Sequence, residues 1–165
     1  MQELPPQDVH HLRAAQGWLD LGDQGSAGEE LGKVNLEFQE HPVVLAVRYQ
    51  VLAQAKRWEQ AGAVAQALVQ TLPESAFGWL RRSQALHFLG RTQEAWDQLF
   101  PAVEHFPGDP LIAYDLACYA CQLGRLPEAV RWLKKALAKA PAGQLKQAAL
   151  EDPDLEPLRA RIQEL

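Results

Sequence analysis

Cys118 and Cys121, the two cysteines of the chain, stand in the stretch Cys118-Tyr119-Ala120-Cys121 and are the residues with the most obvious capacity for chemistry. Thiols three apart can ligate a metal or cycle between dithiol and disulfide, but both uses need thiolates, and a zinc centre needs further ligands. No second such pair and no His-x-x-x-His accompanies them, and the pair falls inside a helical pattern. It reads as two small packing residues. Of the five histidines, His10 and His11 form a solvated pair near the start of the first helix, and His41 and His105 stand at turns near prolines. His87 alone lies on an apolar helical stripe, where an interaction role outranks catalysis. Glu29-Glu30 and Glu151-Asp152 read as solvated faces, Arg81-Arg82 and Lys134-Lys135 are too short for a nucleic-acid patch, and no glycine-rich phosphate loop is present. The expectation is a chain with no catalytic residue, no metal and no cofactor.

The elements that carry these residues are helical by composition. Alanine and leucine contribute 25 residues each, against ten valines, two isoleucines and two threonines, so helix formers far outnumber β-branched residues. A hydrophobic content of 47% excludes wholesale disorder, and no apolar run approaches the roughly 20 residues that cross a bilayer. The net charge of −5 lacks the basic excess expected of a nucleic-acid binder or a polybasic membrane anchor. The first ten residues show no export signal, and two closely spaced cysteines do not make a disulfide framework, so the expected compartment is the cytoplasm.

A period organises the chain. Ala27, Ala61, Ala95 and Ala129 follow one another at intervals of 34 residues; Gly22, Lys56, Gly90 and Gly124 precede them by five, and Pro73, Pro107 and Pro141 repeat at the same interval. Each marker has a mechanism. A glycine after an apolar helical run ends a helix by adopting positive φ, and Glu94-Ala95 or Pro127-Glu128-Ala129 opens the next with residues suited to its first turn. A proline then disfavours helix in the residue before it. Every period is therefore a helical hairpin, helix A followed by helix B.

The stretches WLRRSQALHFLGRTQEAWDQLFPAVEHFP (Trp79 to Pro107) and AYDLACYACQLGRLPEAVRWLKKALAKAP (Ala113 to Pro141) resemble the tetratricopeptide repeat family. The resemblance implies an all-α fold, a right-handed α-solenoid of about four hairpins in one domain. The units are expected at about 8–41, 42–73, 76–107 and 110–141, with capping helices at about 143–165 broken at Asp152-Pro153-Asp154. The first two units are degenerate: Lys56 replaces the glycine, and Gln39 stands where a closing proline belongs. Pro42 comes early, which predicts an extended helix B in the first unit, weakened by Gly28 and Gly32. Pro101 is expected to interrupt helix B of the third unit.

Two stripes follow on helix A. Ala113, Leu116, Ala117 and Ala120 are expected to pack against Ala129, Leu133 and Ala136, and Trp79, Ser83 and Leu86 against Ala95, Leu99 and Ala102. The second stripe carries Phe77, Leu80, Gln84, His87 and Phe88 in one unit and Leu111, Tyr114, Cys118 and Cys121 in the next. The resemblance puts this face on a concave partner-binding groove, giving Phe77, Leu80, Arg81, Gln84, His87, Leu111, Tyr114 and Cys118 as candidate groove residues; packing between units is the alternative. The family's clamp for a C-terminal carboxylate is not expected, because only Arg81 fits it while the other positions read Leu12, Gln16, Val47, Phe77 and Asp115. The function implied is a protein-interaction module, an adaptor or scaffold binding a protein or peptide segment, with no nucleic acid, no membrane and possible self-association. The alternative is a dedicated chaperone resembling those of type III secretion.

Overall fold

A computed structural model describes residues 3–140 and 143–165 of the chain. Every regular element among them is helical. Pro141, expected to close the fourth hairpin, lies outside the described residues. No described helix is long and apolar enough to cross a membrane.

The chain divides into two compact units, Met1–Ala85 and Leu86–Leu165. In the first, α1 (Pro6–Asp20) pairs with α2 (Gln24–Gly32), and α3 (Pro42–Gln54) with α4 (Trp58–Thr71). The boundary between the units falls within α5 (Ala76–Phe88). Leu12, Ala15 and Leu19 of α1 close over Ala27 and Leu31 of α2 and over Val44 and Val51 of α3. A second cluster joins Tyr49 to Ala61 and Ala65 of α4.

The second unit holds α6 (Thr92–Leu99), α7 (Ala102–His105), α8 (Pro110–Gln122), α9 (Leu126–Lys139), α10 (Gln144–Glu151) and α11 (Arg159–Gln163), with a 3₁₀ segment at Pro153–Leu158. The helices α8 and α9 form its main pair, and Ala113, Leu116, Ala117, Ala120, Ala129, Leu133 and Ala136 are all buried. Of the corresponding set in the third repeat, Ser83, Ala95, Leu99 and Ala102 are buried, while Trp79 and Leu86 are half-buried.

The periodic markers act as their chemistry requires. Ala27, Ala61, Ala95 and Ala129 are all fully buried, where a larger side chain would push paired helices apart. Gly22, Gly90 and Gly124 have φ of 78°, 76° and 73° and end their helices with the same hydrogen bonds; Gly124 N–H donates to Cys121 O and Arg125 N–H to Ala120 O. Pro101 separates α6 from α7, as expected.

The junction of the first two repeats differs from the sequence expectation. In place of an extended helix B, α2 runs for only nine residues and a 3₁₀ turn at Leu36–Phe38 completes the span. The reason is the fully buried Asp8 of α1, whose carboxylate accepts hydrogen bonds from the backbone N–H of Asn35 (3.1 Å) and from its side-chain amide (2.9 Å). Those bonds hold Asn35 at φ −52° and ψ 142°, outside the helical range, and satisfy a buried charge that would otherwise be costly.

Candidate functional site

The candidate residues fall into two groups, one in each compact unit. In the first, helix α5 opens against the end of α4 because Gly78 lacks a side chain. A Cβ there would stand 2.9 Å from Val69 N and 3.1 Å from Leu68 C. That approach brings Phe77 beside Pro42, Val43, Ala46 and Val47 of α3 and encloses an apolar cleft of about 280 Å³. Val43 is exposed and Val47 half-buried, so the wall is open to a ligand.

At the cleft's edge the guanidinium of Arg81 lies 4.9 Å from the centroid of Phe77 and 5.9 Å from that of Tyr49, and those two rings meet edge to face. Cation–π attraction and a 2.6 Å hydrogen bond from Arg81 Nη1 to Gln84 Oε1 fix the charged group in place. Arg81 keeps donors beyond that single bond, in a fork suited to a carboxylate. Leu80 is buried and offers little surface from this position.

In the second unit, His87, Tyr114 and Cys118 meet the chain's own Asp152-Pro153-Asp154 turn. The Tyr114 hydroxyl donates to Asp152 Oδ2 at 2.7 Å, and the Cys118 thiol donates to the same oxygen at 3.7 Å. Asp154 Oδ2 lies 2.9 Å from His87 Nε2 while Thr92 Oγ1 lies 3.0 Å from His87 Nδ1. A carboxylate can only accept here, which puts a proton on Nε2 and, in the neutral ring, leaves Nδ1 to accept from the threonine hydroxyl. Gln122 Nε2 donates to Asp154 O at 2.8 Å. Below the turn, Leu155, Leu158 and Ile162 are buried, and the 3₁₀ segment packs on α8. Leu111, at the start of α8, remains exposed.

The electrostatics of this contact disfavour thiol chemistry. Burial, reinforced by the charge of Asp152, pushes the Cys118 thiol far above its ordinary range, and burial with the charge of Asp154 raises Cys121. Burial and the hydrogen bond to Asp152 raise the Tyr114 phenol likewise. All three groups stay protonated at neutral pH, and a protonated thiol is a poor nucleophile and a poor ligand. Among the described residues no three His, Cys, Asp or Glu side chains converge as a metal site would require.

Sequence reasoning named Phe77, Arg81 and Gln84 but not the wall that Val43 and Ala46 give them, nor Gly78. The signal for Gly78 was a glycine two residues into a helix, where only close backbone approach justifies it. The meeting of Tyr114 with Asp152 spans 38 residues and left no local mark.

No family model matches the chain, and no curated protein matches it. Solved structures do. A thermophilic TPR protein of Thermus thermophilus, TTC0263, matches at 24% identity with a TM-score of 0.72, over 98% of this chain and 84% of that one. A crystal structure of MamA matches at 19% identity with a TM-score of 0.70, over 87% and 82%. MamA of MSR-1 matches at 22% identity and 0.65, over 78% and 74%.

Proposed function

We propose that this chain, which has the tetratricopeptide-repeat fold, is a protein-interaction module that receives an extended segment of a partner protein on the helix A face of its first compact unit. The observation that carries the reading is the open apolar cleft of Val43, Val47 and Phe77 with the immobilised guanidinium of Arg81 beside it. The cleft suits one or two apolar side chains, and Arg81 suits a carboxylate near them. The full carboxylate clamp known for this repeat family lacks its other basic and amide residues here, so the ligand is a mixed apolar and acidic segment. The second unit supports the same chemistry, because the polar groups of His87 and Tyr114 already hold aspartates of the chain itself.

The reading is tested by selecting peptides from a random display library on the purified chain. Selected peptides should combine apolar and acidic residues. Their binding should fall about tenfold or more with Val43→Asp or Arg81→Ala, the loss typical of an interface anchor, while the melting temperature is largely retained. Peptides that ignore both substitutions would overturn the assignment.

A further inference from the structure

A different cleft, in the second unit, carries features that peptide binding at α3 and α5 does not use. Val103, Phe106, Ile112 and Trp132 line an apolar cavity of about 340 Å³ between the end of α7, the start of α8 and α9. Lys135 and Lys139 stand at its wall. The Lys135 ammonium lies 4.1 Å from the Trp132 ring centroid, and neither lysine has a carboxylate within ion-pair distance among the described residues. Asp109 also lines the cleft, but its Oδ1 caps α8 by accepting from the N–H groups of Leu111 and Ile112. Helix α9 bears Arg131, Lys134, Lys135 and Lys139 against Glu128, a local basic excess in a chain of net charge −5. The lining fits an apolar side chain with negative charge beside it.

The chain itself displays such a group. Leu36, in the 3₁₀ turn between α2 and α3, is 91% exposed. Glu37 and Glu40 follow it, both exposed and both without a cationic partner among the described residues. The turn is a fixed presentation and not a loose loop, since the bonds from Asn35 to Asp8 and the burial of Phe38 anchor it on both sides of Leu36. An exposed leucine needs no explanation by itself; one held rigidly beside unpaired glutamates is the complement of an apolar cleft with two lysines along its α9 wall. We propose that Leu36 of one copy of the chain enters this cleft of a second copy, with Glu37 and Glu40 meeting Lys135 and Lys139. The two surfaces differ, so the contact is head to tail and leaves each copy with one free knob or one free cleft until the assembly closes.

The experiment is sedimentation velocity of the full chain over a concentration series up to about 1 mM, the range of weak specific association. The wild-type chain should associate reversibly, and less so as salt screens the charges. Leu36→Asp should leave it monomeric. Glu37→Lys with Glu40→Lys should also be monomeric alone, as should Lys135→Glu with Lys139→Glu. An equimolar mixture of those two double variants should associate again, because each surface then meets its opposite charge on the other chain. All the substituted residues are exposed, so circular dichroism melts should match the wild type and exclude misfolding as the cause. A wild-type chain that stays monomeric overturns the proposal, as does association that survives Leu36→Asp or that the mixture fails to restore. If the monomeric chain instead shifts the Trp132 indole resonance on titration with a short peptide bearing leucine followed by glutamates, the cleft serves a foreign segment and the self-association is refuted.

Discussion

Lys56 shows most directly how one residue inherits a task from the repeat. It occupies the phase filled by glycine in the other three hairpins and adopts the same left-handed backbone, with φ of 54°. Its hydrogen bonds are the same as well: Lys56 N–H donates to Ala53 O and Arg57 N–H to Leu52 O. A lysine Cβ strains that conformation where glycine does not. Lys56→Gly should therefore stabilise the chain by about 0.5 to 1 kcal/mol, the relief of strain exceeding the added freedom of the unfolded chain, as read from urea midpoints. The protonated groups near Asp152 make a second prediction. In the unfolded chain thiols titrate near 9.0 and tyrosine near 10.0, whereas burial keeps Cys118 and Tyr114 protonated in the folded chain. The folded state then binds more protons above about pH 9, so stability falls as pH rises from there. Cys118→Ala and Tyr114→Phe should each flatten the decline between about pH 9 and pH 11. A slope unchanged by both would show that neither group controls it.

Helices and their junctions were legible wherever a backbone requirement repeats. Glycine at positive φ and the prolines that end or break helices are local devices, and they placed the ends of α1, α5 and α8 and the break between α6 and α7. The shortened α2 was not legible, because the buried Asp8 of α1 holds Asn35, 27 residues further along the chain, out of the helix. The cleft at α5 was hidden for a similar reason. Its depth depends on the approach of two backbones at Gly78, and apolar periodicity alone does not measure that distance. Gly78→Ala should force α5 away from Val69 N and cost about 1 to 3 kcal/mol, the range for overpacking. It should also weaken peptide binding at the cleft by more than the stability loss explains. Calorimetric melting and peptide titration of this one variant check both effects. For α8, Asp109→Ala removes the side chain that accepts from Leu111 and Ile112 N–H, with an expected loss of about 1 kcal/mol in a thermal melt.

At the scale of the molecule, the repeat arithmetic carries the fold, but the same arithmetic cannot say which parts of the helix A face are covered. An array of hairpins leaves an apolar surface on its last repeat, and whatever follows must cover it. Here Leu155, Leu158 and Ile162 are buried and the 3₁₀ segment packs on α8, and the helical spacing of those three residues was readable in the sequence. The segment's polar contacts with His87 and Tyr114 were not, since they depend on the direction in which it turns at Pro153. Coverage of this kind has a measurable consequence. Leu155 is fully buried in the second compact unit, and Leu155→Ala should leave a cavity that costs about 2 to 5 kcal/mol. The loss belongs to the unit that contains the contact. Hydrogen exchange of the variant should show weakened protection in α8, on which the segment packs, and in its partner α9, while the amides of α1 to α4 exchange nearly as in the wild type. Equal loss of protection across all these helices would mean that the chain opens only as a whole, and that the two units have no separate stability for the cap to govern.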